Sequence, residues 1–367
     1  MRDPLRCVKA TVRAAKPYAL AARSAPVKLN QNENPFDLPE TVKRRVVDAA
    51  LARPWSRYPA FDPRELREAL AAHSGWRADG VIVGNGSNEL IEALLLVTIS
   101  PGTRVVLPQP TFTLYALLTR ILAGEVVSVP LGERFEYDAA GLLSAAREVG
   151  APLLIACSPN NPTGTSLRID DVARLCAESE GLVVVDEAYH EFSGRSVVPL
   201  LGQHSNLVVL RTFSKAMAMA GLRVGYLLAA PELVAEIDKA RLPYNLNFFS
   251  QAAAVAALDE REALHAIVRR LVALRGELFV GLASIPGVRP VPSEANFILF
   301  ELAAADPKAV FERLHGDGVL VRDVTAYPKL ERCLRVSVGN EEENGRFLGA
   351  LRAAVGVAEP LSAREGQ

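Results

Sequence analysis

The sequence contains little of what marks disulfide-linked, metal-binding or membrane-spanning proteins. It has four cysteines in 367 residues, and these lie far apart, without disulfide or metal-binding spacing: Cys7, Cys157, Cys176 and Cys333. Its five histidines include no H-x-x-x-H or H-E-x-x-H pair, and no apolar run reaches the length of a transmembrane helix. Such cysteine usage is typical of a reducing compartment, so we expect a cytoplasmic protein with no bound metal and no membrane partner.

An excess of charge of one sign is also missing. The chain has 41 basic and 42 acidic residues, a net charge of −1, which argues against a general electrostatic surface for nucleic acid. Hydrophobic residues make up 50% of the chain. A chain of this length and composition can bury a large core in one or two domains.

Strand-like and helical patterns alternate in the first two thirds of the chain. Apolar runs occur near 81–83, 104–108, 125–129, 152–157, 182–185, 207–210 and 224–229, and helical patterns fill 87–98, 111–122, 138–147 and 168–178. This alternation predicts an α/β fold with a mainly parallel seven-stranded sheet and helices on both faces.

The pattern changes after Pro243. A helical stretch over about 250–284 is followed by shorter strands near 296–300, 319–321 and 333–338 and by helices near 307–315 and 340–354. We therefore expect a large domain over residues 39–249. A smaller α+β domain would combine residues 250–367 with residues 1–38, which include an N-terminal arm.

Lys215 is the most informative residue of the chain. It follows the apolar run 207–210, so we expect it near the end of a buried strand, where an ammonium is costly to desolvate. Desolvation lowers the pKa of a lysine and leaves a neutral amine that can attack an aldehyde. The hydroxyls of Thr212 and Ser214 and the guanidinium of Arg223 are suitable phosphate ligands. An aldehyde with a phosphate suggests pyridoxal phosphate (PLP), although a lone Ser-Lys pair on a surface loop would look the same.

Two further strand ends carry groups that suit a pyridine ring. Asp186 ends the β-branched run 183–185, and an anion beside the pyridine nitrogen keeps that nitrogen protonated and the ring electron-accepting. Tyr189 and Asn161 are placed to bond the ring's 3-oxygen, and Asn161 lies in a turn fixed by prolines and glycine, 158–164. Metal ligands and helix caps also follow strands, so Asp186 alone does not decide the chemistry.

The segment 84–91 (GNGSNELI) predicts a phosphate site. A strand runs into glycines, and a helix then begins at Ser87 or Asn88. Free backbone N–H groups at a helix N-terminus bind phosphate. The segment is not a dinucleotide-binding fingerprint, because Glu89 occupies the position where G-x-G-x-x-G requires its last glycine.

Arg335 and Arg322 each lie in a strand-like segment, 334–339 and 319–322. An arginine in such a pattern faces either solvent or a buried anion. The strand pattern alone favours solvent.

Together these segments resemble, in order, the sequence blocks of the fold-type I PLP-dependent aminotransferases. The likeness spans roughly residues 17–340. Three segments are most similar to the histidinol-phosphate branch of that family, namely 17–18 (PY), 32–35 (NENP) and 243–245 (PYN).

The resemblance implies the cofactor contacts. Lys215 would carry PLP and move a proton between substrate and cofactor, Asp186 would pair with the pyridinium, and Asn161 and Tyr189 would bond the 3-oxygen. Phe112 would stack on the ring, at a position where some members have tyrosine. The phosphate ligands would be Ser87, Asn88, Thr212, Ser214 and Arg223, together with Tyr58 from a partner subunit.

The resemblance also implies the substrate and the assembly. The substrate-binding positions would be Tyr18, Asn34, Arg322 and Arg335, with the arginines and Tyr18 at the anionic end. The reaction would exchange an amino group between L-histidinol phosphate and 2-oxoglutarate by a ping-pong mechanism, in a homodimer with shared sites.

Three readings of the sequence stay open at this stage. Besides the histidinol-phosphate reaction, the same scaffold suits an aromatic or broad-specificity aminotransferase or a phospho-amino-acid decarboxylase. A PLP-fold binding module without turnover is a third reading, from another class. The amino donor is undecided because pocket shape, rather than motif, selects small molecules.

Overall fold

The computed structural model describes residues 3–17 and 23–356. Its strands, in chain order, are β1 (Val27–Lys28), β2 (Val81–Asn85), β3 (Arg104–Gln109), β4 (Glu125–Pro130), β5 (Leu153–Cys157), β6 (Leu182–Asp186), β7 (Leu207–Thr212), β8 (Val224–Leu228), β9 (Val288–Pro290), β10 (Phe297–Leu302), β11 (Val319–Leu320), β12 (Arg322–Asp323) and β13 (Cys333–Ser337).

The helices, in chain order, are α1 (Ala10–Ala14), α2 (Glu40–Leu51), α3 (Arg64–Ser74), α4 (Ser87–Thr98), α5 (Thr113–Ile121), α6 (Ala139–Glu148), α7 (Ile169–Glu178), α8 (His190–Ser193), α9 (Pro231–Asp238), α10 (Phe248–Asp259), α11 (Arg261–Ala283), α12 (Pro307–Gly316) and α13 (Glu341–Ala354). In the part of the chain that the structure describes, no helix is both long and apolar enough to cross a bilayer.

The mainly parallel seven-stranded sheet is confirmed. Its strand order is β2-β8-β7-β6-β5-β3-β4, and β8 runs antiparallel to both of its neighbours. Every residue of β5, β7 and β8 is buried, as expected for strands covered on both faces. In the register of β5 and β6, Cys157 is the partner of Asp186. Asp186 therefore emerges at the C-terminal edge of the sheet, where ligands of α/β folds bind.

A second, antiparallel sheet has the order β12-β13-β10-β9. In its register, Arg322 on β12 is the partner of Arg335 on β13, so the two arginines are direct neighbours across the strands. The N-terminal strand β1 pairs with β11 in parallel, which brings residues near 30 beside this sheet. The division into domains at residues 39 and 249 stays a prediction.

The expected continuous helical stretch over 250–284 was wrong in one detail. It consists of α10 and α11, which are separated at Glu260, whose backbone angles (φ −99°, ψ 24°) depart from those of an α-helix. No proline or glycine lies near Glu260, so the sequence contains no breaker signal there.

Gly225 allows β8 to approach the start of α4 closely. A Cβ at Gly225 would lie 2.2 Å from the Ser87 backbone nitrogen and 2.4 Å from the Gly86 carbonyl carbon, and both are backbone atoms that cannot rotate away. Any side chain at this position would push the N-terminus of α4 away from the sheet.

We predict that Gly225→Ala lowers the free energy of unfolding by about 1–3 kcal/mol, because the added methyl overpacks this contact. Urea unfolding measures the change. Gly276→Ala in α11 is the matched control: nothing lies within 4 Å of its added Cβ, and alanine favours a helix over glycine. Equal stability of Gly225→Ala and wild type would show that β8 and α4 separate without cost.

Candidate active site

A cavity of about 240 Å³ lies between the C-terminal edge of the large sheet and the antiparallel sheet. Twelve of the fifteen predicted site residues line it, from segments distant in sequence: Ser87, Asn88, Phe112, Asn161, Asp186, Tyr189, Thr212, Ser214, Lys215, Arg223, Arg322 and Arg335. The crossover connections of the sheet bring these segments to one edge, which is why they converge.

Lys215 lies in the cavity wall, three residues after β7 ends at Thr212. Its Nζ donates a hydrogen bond to the Gln31 carbonyl oxygen at 2.9 Å. Burial lowers the pKa of Lys215 to about 7, and the positive charge of Arg335 acts in the same direction. Near neutral pH a substantial fraction of this amine is therefore unprotonated, as a nucleophile or proton acceptor requires.

Asp186 is held at both of its carboxylate oxygens. Oδ2 accepts a hydrogen bond from the Tyr115 hydroxyl at 2.6 Å, and Oδ1 accepts one from the Ala188 backbone N–H at 3.0 Å. Burial raises the pKa of Asp186 to about 6, while the two hydrogen bonds oppose this rise. The carboxylate is thus ionised at neutral pH and fixed in orientation.

A chain of hydrogen bonds links Tyr189 to Arg335. The Tyr189 hydroxyl oxygen accepts from the side-chain amides of Asn32 (3.0 Å) and Asn161 (3.4 Å). The Asn161 Oδ1 in turn accepts from Nη1 of Arg335, whose Nη2 donates to the Asn30 carbonyl oxygen at 2.9 Å. Since two donors occupy the phenol oxygen of Tyr189, its own O–H is left to donate towards a ligand.

The other end of the cavity has the features of an anion site. Nη1 of Arg223 donates to Ser214 Oγ at 3.0 Å, and the Thr212 hydroxyl donates to the same oxygen at 3.0 Å. A Cβ at Gly86, which precedes α4, would lie 2.5 Å from Nη2 of Arg223. The guanidinium therefore lies against the N-terminus of α4, and within residues 3–17 and 23–356 no carboxylate forms an ion pair with it.

This arrangement fits PLP. A guanidinium beside the positive end of a helix is unfavourable unless an anion lies between them, so this end suits a phosphate. The cavity also contains an amine of lowered pKa and a buried carboxylate. Phe112 supplies an aromatic ring, which packs edge-to-face on Tyr115 with 5.5 Å between centroids.

Three predicted site residues are not among those that line the cavity. Tyr58 is 77% exposed and stacks on Tyr244 with 4.5 Å between ring centroids. The Asn34 side-chain amide donates to the carbonyl oxygen of Ala216 at 3.2 Å. Tyr18 lies outside the described residues. The roles given to these three residues stay predictions.

Sequence reasoning gave no role to two buried side chains that donate hydrogen bonds to predicted site residues. Asn32 is buried, has φ 55°, and donates to Tyr189. Tyr115 is fully buried and donates to Asp186. A signal existed for Tyr115, because in the predicted helix 111–122 it lies three residues after Phe112 and would share a face with it. No comparable signal separated Asn32 from its polar neighbours.

Comparisons with known proteins agree with the geometry. The family model "Aminotransferase class I and II" matches residues 24–351. The chain is 39% identical to the histidinol-phosphate aminotransferase of Chlorobium phaeovibrioides over 97% of this chain and 99% of that protein.

Solved structures are similar over most of the chain. The histidinol-phosphate aminotransferase from Sinorhizobium meliloti, crystallised with pyridoxal-5'-phosphate, is 26% identical with a TM-score of 0.87, and the match covers 95% of this chain and 97% of that one. A double mutant of the Thermus thermophilus aspartate aminotransferase is 27% identical with a TM-score of 0.82, over 96% of this chain and 100% of that one.

We predict that cofactor-free protein binds PLP covalently on Lys215, and that the rate rises with pH through about 7, because only the neutral amine attacks an aldehyde. Between pH 6 and pH 8 the neutral fraction of an amine with this pKa rises about tenfold and then levels off. Absorbance above about 400 nm and mass spectrometry after borohydride reduction measure the product.

Two variants serve as the test and the control of that experiment. Lys215→Ala removes the amine and should abolish covalent incorporation, whereas Lys239→Ala, a change at an exposed lysine paired with Glu236, should leave it unchanged. Undiminished incorporation in Lys215→Ala would contradict the assignment.

Proposed function

This chain belongs to the class I and II aminotransferases, and from that premise we propose that it exchanges an amino group between L-histidinol phosphate and 2-oxoglutarate, in histidine biosynthesis, by a ping-pong mechanism. One observation carries the proposal beyond the family: the amine of Lys215 and two arginines, Arg322 and Arg335, line the same cavity. The names of the relatives at 39% identity support the same substrate.

The cofactor of the enzyme is PLP. When bound, PLP supplies a protonated pyridine ring that accepts electrons from the substrate Cα. Its phosphate would be held by Arg223, Ser214, Thr212 and the start of α4, where Ser87 and Asn88 lie. Asp186 would pair with the pyridine nitrogen, Asn161 and Tyr189 would bond the 3-oxygen, and Phe112 would cover the ring.

The proton transfers fall to Lys215. Its Nζ, with a pKa near 7, accepts the proton from the substrate Cα and returns it to the other reacting carbon. Asp186 stays ionised during these transfers, because its two hydrogen-bond donors stabilise the charged form. Burial of both groups also excludes water, which strengthens their electrostatic interaction with a bound ligand.

The pair of arginines favours a substrate whose anionic end carries two negative charges. Arg322 and Arg335 are direct partners across β12 and β13, and like charges at such positions repel. An anion between them would offset the repulsion. Within residues 3–17 and 23–356, no carboxylate forms an ion pair with Arg322. A phosphate suits the pair because two planar guanidinium groups donate several parallel hydrogen bonds.

We predict that Arg335→Ala lowers kcat/KM roughly 30- to 4,000-fold in both half-reactions, the equivalent of about 2–5 kcal/mol for a lost buried charge partner. Both substrates must anchor an anionic group there. Arg322→Ala should harm L-histidinol phosphate more than an ordinary α-amino acid. Steady-state kinetics with both amino donors measures these changes.

Arg289→Ala is the matched control for the arginine variants. Arg289 lies on β9 of the same sheet with its side chain 71% exposed, so its loss should leave kcat/KM unchanged. Unaltered phosphate-substrate kinetics in Arg322→Ala would refute the two-arginine account. A wild-type preference for phenylalanine or tyrosine would favour an aromatic aminotransferase, and CO2 release from a phospho-amino acid would favour a decarboxylase.

We also propose that the enzyme is a homodimer with shared sites. Tyr58 stacks on Tyr244, whose ring also meets Phe61 edge-to-face, and all three side chains are exposed on the single chain. Leu51, Trp55 and Leu242, which are close to them in sequence, are exposed as well. A cluster of exposed aromatic rings of this kind is typical of association surfaces. Tyr58 belongs to this surface, which supports its contribution to the phosphate site of a second copy.

We predict that Tyr58→Phe and Lys215→Ala chains complement each other when mixed. A heterodimer of these chains would contain one site with both Lys215 and Tyr58 intact and one site that lacks both. Activity of the mixture should therefore exceed that of either variant alone. Proven heterodimers without recovered activity would show that each chain forms its own site, and a monomer in light scattering would contradict the dimer itself.

A further inference from the structure

We propose that Tyr115 is a positioning residue: its phenol keeps the Asp186 carboxylate ionised and fixed in orientation, ready to pair with the pyridine nitrogen of the cofactor. The inference deepens the proposed function and rests on it only through the cofactor, since it holds for any amino donor.

The geometry of the contact carries the inference. Tyr115 lies in the first turn of α5 and is fully buried, and its hydroxyl donates to Asp186 Oδ2 at 2.6 Å, a short distance typical of a bond to an ionised acceptor. Phe112 packs edge-to-face on the Tyr115 ring at 5.5 Å. The residue proposed to cover the cofactor ring therefore also fixes the side chain that donates to Asp186.

Asp186 needs such a donor because its surroundings disfavour its charge. It is only 3% exposed, and burial is the largest influence on its pKa, followed by the opposing hydrogen bond from Tyr115. Burial raises the pKa of Tyr115 well above its usual range, so this phenol remains a proton donor at all working pH values. Without it, Oδ2 would lose its hydrogen bond and the carboxyl group would protonate closer to neutral pH.

Other titratable groups near Asp186 come from several elements. They are Tyr137, Cys157, Glu187, Tyr189 and Lys215. The charge of Glu187 opposes ionisation of Asp186, and the charge of Lys215 favours it. The contacts between Asp186 and four of them stay in place in a variant at Tyr115, so a comparison with wild type at the same pH cancels those contributions. Cys157 also interacts with the Tyr115 hydroxyl, but burial keeps its thiol protonated in both proteins.

The test is the affinity of cofactor-free protein for PLP, measured for wild type and Tyr115→Phe at about pH 6.5 and about pH 9 by absorbance titration. Loss of a hydrogen bond to a charged group should weaken binding roughly ten- to hundredfold at the lower pH. At the higher pH the carboxyl group is ionised in both proteins, so their affinities should converge.

Tyr137→Phe is the matched control. Its hydroxyl donates to the Cys157 carbonyl oxygen rather than to Asp186, so its affinity should follow wild type at both pH values. An equal loss in Tyr115→Phe at both pH values would reduce Tyr115 to a packing role and overturn the inference. So would an unchanged affinity. Failure of wild type to use L-histidinol phosphate would refute the proposed substrate and leave this measurement unaffected.

A second measurement covers the case in which Tyr115→Phe does not fold. In the wild-type cofactor-free protein, all eight tyrosines are isotopically labelled at the ring carbon bonded to oxygen. The NMR resonance of Tyr115 should then move as Asp186 titrates near pH 6. That movement should disappear in Asp186→Asn. The absence of any such resonance in wild type would overturn the inference.

Discussion

The burial of an amine and a carboxylate in one cavity is the constraint on which the rest of the site depends. Burial lowers the pKa of Lys215 to about 7 and raises that of Asp186 to about 6, so both values approach neutrality from opposite sides. Small changes in surrounding charges and donors then decide which form each group takes. The neighbours that supply them, Arg335 for the lysine and Tyr115 for the acid, therefore bear on the charge state of each group.

The hydrogen-bond chain from Asn30 through Arg335 and Asn161 to Tyr189 joins the two sheets. Arg335 lies on β13 of the antiparallel sheet, whereas Tyr189 follows β6 of the large sheet. An anion that binds Arg335 would change the charge that Asn161 and Tyr189 experience. The substrate end and the cofactor end of the cavity are consequently coupled through bonded groups, and Asn32 supports the same phenol from the N-terminal segment.

The sequence predicted the fold and most of the residues that line the cavity, because the ends of strands can be recognised from apolar runs. Lys215, Asp186 and Asn161 each follow an apolar run, and parallel strands bring such ends to one edge. Contacts made by loops have no such pattern, so the segment 32–35 was singled out by resemblance but its first residue, Asn32, was given no role. The interruption of the helix at Glu260 was missed for a related reason. A change of backbone conformation without proline or glycine has no recognisable sequence signal.

The two sheets contribute different groups to the cavity. Lys215, Asp186 and Arg223 lie at or near the strand ends of the large sheet, and in the proposed reaction any amino donor would need them. The antiparallel sheet contributes Arg322 and Arg335, which can distinguish donors by their anionic end. Because strand register makes Arg322 and Arg335 neighbours, the proposed substrate with a phosphate end would meet both positive charges at once.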